Sequence, residues 1–147
     1  MRHGYNDYQK ARVVTGDSGE LLLMLFDGAV RFTKQAIAGM IEGDVPRKCE
    51  GISRAFAIVS ELHGTLDFEV SEELAGNLAS LYIFILENFS KANIYGEVQP
   101  LRDIVTVLET LREGWVGAIE EVRKNQGGMT KDGRQPVDAS SLSVIAG

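Results

Sequence analysis

Apolar residues recur along this chain at steps of three and four, the period of a helix buried along one face, in four stretches separated by turn signals. The first runs from about Glu20 to Ile41 and carries Leu21, Leu25, Gly28, Phe32 and Ala36 on one stripe. Asp17 stands ahead of it as a cap, with Glu20 three residues on, so two carboxylates can meet the free N–H groups at the positive helix end. Glu42-Gly43-Asp44 stops this helix and caps the next. The second begins with Pro46 in its first turn, where the missing N–H costs nothing, and reaches about Leu66 through Ile52, Phe56, Val59 and Leu62. The third, from Glu72 to Tyr95, has Ser71 as its cap, Gly96 as its stop, and Leu74, Leu78, Leu81, Ile85, Phe89 and Ala92 on one face. The fourth, from about Val98 to Lys124, aligns Leu101, Ile104, Leu108, Leu111, Trp115, Ala118 and Val122.

Short connections force neighbouring helices to run antiparallel. The pattern therefore predicts an all-α fold: an up-down four-helix bundle within residues 1–124, with Leu25, Phe32, Ile52, Val59, Leu78, Ile85, Leu108 and Trp115 in its core. Strict alternation is almost absent, which leaves a sheet without support. Tyr5, Tyr8, Val13 and Val14 give the otherwise polar start a reason to dock, so residues 1–16 are expected to lie on the bundle. Beyond Asn125 the composition turns to Gly, Ser, Asp and Gln, and residues 125–147 are expected to form a flexible tail.

Composition narrows the function. The chain has 147 residues, 44% hydrophobic and 24% charged, and its formal net charge of −6 argues against nucleic acid as a partner. A single cysteine, Cys49, cannot close an internal disulfide, and with only His3 and His63 beside it no Cys/His metal framework can be assembled. Neither a metal nor a cofactor is expected. The longest apolar runs, Leu21 to Phe26 and Leu81 to Leu86, are six residues each, against the ~20 that cross a bilayer, so no stable membrane association is expected. The start carries no secretory signal, which makes the cytosol the expected compartment.

Catalytic chemistry finds few candidates, and the expectation is that the protein is not an enzyme. Cys49 has no histidine near it in sequence and reads as a small hydrophobe or idle thiol. The Glu-x-x-His pairs of di-iron bundles are missing, since Ser60 stands three residues before His63. Histidine phosphotransfer on His63 is the rival reading, because such domains are also acidic four-helix bundles. Gly64 would let a partner approach, but Asp67 stands where charge complementarity wants a cation. Glu72-Glu73 and Glu120-Glu121 read as solvated helix faces, and Gly127-Gly128 follows a helix instead of opening one. What remains is apolar width beyond what the core stripes require, in Phe26, Ile58, Tyr82, Ile83 and Phe84. That excess predicts a groove for a partner.

Several segments resemble a known family in order and spacing. Tyr8-Gln9, Thr15-Gly16-Asp17-Ser18-Gly19-Glu20-Leu21 and Leu25-Phe26-Asp27-Gly28-Ala29 are similar to the opening of the flagellar secretion chaperone family FliS. Leu66-Asp67-Phe68-Glu69, Ala75-Gly76-Asn77-Leu78-Ala79-Ser80-Leu81-Tyr82, Ala92-Asn93 and Leu111-Arg112-Glu113-Gly114-Trp115 continue the resemblance to about Ala118. The chain departs from the pattern at Asp17-Ser18, where the family often has Ser-Pro, and at Ser71-Glu72, where it commonly has Gly-Gly. It departs again at Ile83, in a place usually held by an acidic residue.

The resemblance implies a chaperone that binds the disordered C-terminal segment of flagellin, prevents its premature polymerisation and assists flagellar type III export. It suggests that the segment containing Tyr8 covers part of the cargo groove until flagellin displaces it. Together with the apolar excess, it nominates Tyr8, Gln9, Phe26, Asp27, Ile58, Asn77, Leu81, Tyr82 and Asn93 as flagellin contacts. For each a plainer role stays open: Leu81 also fits the core stripe, Asp27 can face water, and Asn77 and Asn93 can bind a loop instead of cargo. The export gate, a co-chaperone and a second copy of the chain are the further partners this reading admits.

Overall fold

The computed structural model describes residues 19–69 and 71–132. They form four helices, α1 (Gly19–Glu42), α2 (Val45–Gly64), α3 (Glu72–Tyr95) and α4 (Gln99–Asp132). Each boundary has a local cause. Asp44 caps α2 by accepting a hydrogen bond from the Arg47 N–H at 3.2 Å, and Pro46 occupies the first turn. Ser71 caps α3 in the same way, accepting from the Leu74 N–H at 3.2 Å. Gly96 ends α3 at φ 67°, a left-handed conformation glycine adopts without a Cβ penalty, and its N–H reaches the Ala92 carbonyl. The expected cap Asp17 and the docking segment 1–16 lie outside the described residues.

The helices form a ring in chain order, α1 on α2, α2 on α3, α3 on α4 and α4 back on α1. The core is continuous, with Phe26, Tyr82, Phe89 and Trp115 among its largest fully buried side chains. Thr33 is its buried polar residue, and its hydroxyl donates to the Ala29 carbonyl at 2.7 Å. The α1/α2 contact is the tightest because small residues line it. A Cβ on Gly51 would stand 2.6 Å from the Phe32 carbonyl oxygen, and one on Gly39 would stand 2.6 Å from the Lys48 nitrogen. Phe32, on the rim of this seam, has the Arg31 and Arg54 guanidinium groups 4.9 and 5.5 Å from its ring centre.

Three differences from the sequence expectations have physical reasons. The buried face of α1 includes Leu22, Phe26, Gly28, Ala29, Thr33 and Ala36, so Gly28 and Ala36 of the expected stripe are buried while its Leu25 and Phe32 sit half-buried at the edge and Leu21 is exposed. The expected stripe follows the α2-facing side, where small residues let the backbones close, and the space left at the bundle centre takes the larger Phe26. The other expected core residues are buried as the pattern implied. Helix α2 stops at Gly64 instead of Leu66, with the Thr65 hydroxyl donating to the Leu62 carbonyl. Helix α4 continues through Gly127 and Gly128 to Asp132, past both the expected end at Lys124 and the expected start of the tail. A glycine costs roughly 1 kcal/mol in a helix interior, but extending a long helix needs no new nucleus.

Candidate functional site

Along the seam between α2 and α3 the bundle opens into a concavity of about 320 Å³. Helix α2 contributes Cys49, Ile52, Ser53 and Phe56, which recur at helical steps on one side, and α3 contributes Phe89, Ser90 and Asn93. Phe56 and Phe89 meet across the seam as a tilted aromatic pair with centroids 6.4 Å apart. Phe89 is fully buried, while Phe56 keeps 39% of its surface open to the groove. The two rings hold the helices apart, and the small Cys49, Ser53 and Ser90 leave the space above unfilled.

The lining is apolar with a polar margin. It contains no carboxylate, ammonium or guanidinium group. The Ser90 hydroxyl already donates to the Leu86 carbonyl of its own helix at 3.5 Å. Asn93 lies at the margin of the opening, and its side-chain amide carries both a donor and an acceptor. The inter-helix ion pairs lie elsewhere: Lys34 pairs with Glu109 at 3.5 Å across the α1/α4 seam, where Arg112 also clasps Asp27. Such a groove can take apolar side chains and offer one amide to a partner's backbone.

The residues nominated from sequence scatter over the bundle. Phe26 and Tyr82 offer essentially no surface, with 0% and 1% exposed. Both are corrected to core residues in this conformation, because Ala29, Ala36, Ala55 and Ala75 leave central volume that only large side chains fill. Burial also pushes the Tyr82 hydroxyl pKa well above the usual tyrosine range. Asp27 receives the Arg112 guanidinium, Nε to one carboxylate oxygen and a terminal nitrogen to the other at 3.4 Å, and so joins α1 to α4. Ile58 faces α1, where a Cβ on Gly28 would come within 3.2 Å of its Cδ1. Leu81 is half-buried against the core, and Asn77 is exposed on α3. Tyr8 and Gln9 lie outside the described residues. Of the described members of the set, only Asn93 lines the groove.

Sequence reasoning passed over Cys49, Ser53, Phe56, Phe89 and Ser90. Phe56 and Phe89 were read as core, correctly for the second. The usable signal is the company they keep, since Phe56 stands one helical turn from Ser53 and Phe89 one turn from Asn93, each pair on the same side of its helix. Cys49, read as buried or idle, is exposed. His63 is half-buried in the last turn of α2. Among the described residues no group of His, Cys, Asp and Glu is placed to hold a metal, and no helix is long and apolar enough to cross a membrane.

A model of the family described as Flagellar protein FliS matches residues 1–122. The chain is 30% identical over 128 residues to the flagellar secretion chaperone FliS of Bacillus subtilis, covering 87% of this chain and 95% of the relative. It is 31% identical over 107 residues to the protein of the same name from Salmonella typhimurium, covering 72% and 79%. For that of Campylobacter jejuni the identity is 29% over 122 residues, covering 83% and 92%.

Proposed function

The chain belongs to the FliS family, and on that premise we propose that it is a cytosolic flagellar secretion chaperone that holds the disordered C-terminal segment of flagellin in the α2/α3 groove. The observation that carries this reading is the groove itself, whose lining holds no charged side chain, on a bundle whose ion pairs between helices sit on other seams. Apolar side chains of the cargo enter over Phe56, which the buried Phe89 supports from beneath, and the Asn93 amide pairs with a peptide group at the margin. Capturing the segment keeps it from polymerising and leaves it ready for the export gate. The work is binding, with no bond made or broken. Ordering a disordered segment costs roughly 2–5 kcal/mol of the gross interaction energy, which leaves a complex that covers much surface and still releases its cargo.

On the same reading, residues 1–16 occupy part of the groove in the free protein through Tyr8 and Gln9, and cargo displaces them. A co-chaperone would use surface outside the groove. The test is size-exclusion chromatography with a peptide copied from the last ~40 residues of the host's flagellin, long enough for an interface of standard size. Co-elution with the unaltered chain is expected. The exposed substitution Ser53→Glu, which puts a carboxylate where the lining has none, should weaken binding at least ~10-fold through the desolvation cost. A peptide that fails to co-elute overturns the cargo, and a Ser53→Glu variant that binds normally overturns the groove. Acid-labile phosphate on His63 after incubation with a phosphorylated receiver domain would favour the phosphotransfer alternative.

A further inference from the structure

Where the α1/α2 seam reaches the surface, the bundle carries a cationic cluster that the groove does not use. Phe32 is half-buried there, and the guanidinium groups of Arg31 and Arg54, one from each helix, lie 4.9 and 5.5 Å from its ring centre. The ring's quadrupole attracts both cations and neutralises neither, so two positive charges are held no more than about 10 Å apart. Arg54 pairs with Glu50 at 3.0 Å, but both side chains are more than half exposed, and such a pair is worth little and exchanges readily. Arg31 is exposed and makes no ion pair with a described residue. Beneath the cluster the two helices meet closely, since a Cβ on Gly51 would stand 2.6 Å from the Phe32 carbonyl oxygen. The ring therefore rests on a rigid base, and a ligand meets two guanidinium groups already in place.

We infer that this cluster docks an acidic helix of a partner protein, one that carries Asp or Glu at positions i and i+4. A guanidinium is planar and presents paired donors that match a carboxylate in a two-bond fork. Carboxylates at i and i+4 stand on one face of a helix with their Cβ atoms ~5–6 Å apart, and their side chains span the separation that Phe32 imposes on the two arginines. Charge also selects the class of partner. The chain has a net charge of −6, so nucleic acid or an anionic membrane would be repelled beyond the reach of two arginines, whereas a short acidic face presents only the charges the cluster can meet.

The cluster and the groove lie on different sides of α2. Gly51 and Arg54 face α1, while Cys49, Ser53 and Phe56 line the opening toward α3, so both surfaces can be occupied together. The inference does not depend on the identity of the cargo or on where it binds.

Calorimetric titration of the full chain with an alanine-based helical peptide bearing glutamates at i and i+4, set against its glutamine analogue, tests it. In ~20 mM salt the glutamate peptide should bind at least ~10-fold tighter, and it should lose that advantage in ~0.5 M salt. Attraction to the chain as a whole would give the opposite preference, because the chain is net negative. Arg31→Gln and Arg54→Gln should each weaken binding at least ~5-fold. Phe32→Leu keeps an apolar side chain on the seam but releases both guanidinium groups, and should weaken it ~3-fold. Lys91→Gln, which removes an exposed cation on α3, should leave the affinity within ~2-fold, and unchanged circular dichroism in every variant shows that the bundle is folded. A glutamate peptide that binds no better than its glutamine analogue, an affinity indifferent to either arginine, or polyphosphate that binds as tightly as the peptide would each overturn the proposal.

Discussion

Trp115 makes two contributions of opposite sign, and a pair of substitutions can separate them. The side chain is 1% exposed in the middle of the core, yet its indole Nε1–H has no hydrogen-bond acceptor among the described residues. Truncation to alanine removes the whole ring system and leaves a large cavity, at a cost of about 3–5 kcal/mol. Trp115→Phe keeps a ring in the same place and loses only part of the volume, about 2 kcal/mol of transfer and cavity cost together. It also removes a donor whose unsatisfied burial costs roughly 1–3 kcal/mol. The two changes nearly cancel, so Trp115→Phe should lie within about 1 kcal/mol of the unaltered protein, where alanine is severe. Urea unfolding followed by far-ultraviolet circular dichroism is the assay, because Trp115 is the only tryptophan and fluorescence disappears with it. A loss above ~3 kcal/mol for phenylalanine would show that the indole N–H is satisfied and that the reasoning fails.

Two glycines should respond in opposite directions to alanine. Gly51→Ala forces a Cβ to 2.6 Å from the Phe32 carbonyl oxygen and should destabilise by roughly 1–3 kcal/mol or more, whereas Gly117→Ala has open space within 4 Å and should stabilise by roughly 1 kcal/mol; thermal melts of both variants check the contrast. Asp27→Ala, which removes an exposed α1/α4 ion pair, should cost no more than ~1 kcal/mol and leave flagellin-peptide affinity unchanged, and a selective loss of affinity would return Asp27 to the cargo contacts. Deleting residues 2–12 should tighten apparent peptide affinity about tenfold if the covered state is favoured by ~1.4 kcal/mol, and weaker binding in calorimetry would make that segment part of the site. Because burial raises the Tyr82 pKa, the folded state holds its proton where the unfolded chain has lost it. The resulting stability is complete below the ordinary tyrosine value near ~10 and declines as pH rises beyond it, so Tyr82→Phe should flatten the alkaline side of a stability-against-pH curve.

The sequence by itself determined the helices. The α3 limits, the caps at Asp44 and Ser71 and the stop at Gly96 follow from residues within one turn of each boundary, and the structure has them where local rules put them. The family was legible for a related reason, since its short motifs keep their order and spacing whatever the packing. Quantities that need a second helix were decided only by the tertiary structure. Whether Phe26 or Leu25 of α1 points to the centre of the bundle depends on how closely Gly39 and Gly51 let α2 approach, and no pattern within α1 contains that distance. Nothing in the sequence around Asp27 shows that Arg112, far along the chain, pairs with it. The groove belongs to neither α2 nor α3. It exists because Phe56 and Phe89 meet at one level while Cys49, Ser53 and Ser90 are too small to fill the space beside them. Periodicity tells which face of a helix is apolar, but the volume left between two such faces depends on the side chains of both and on their register.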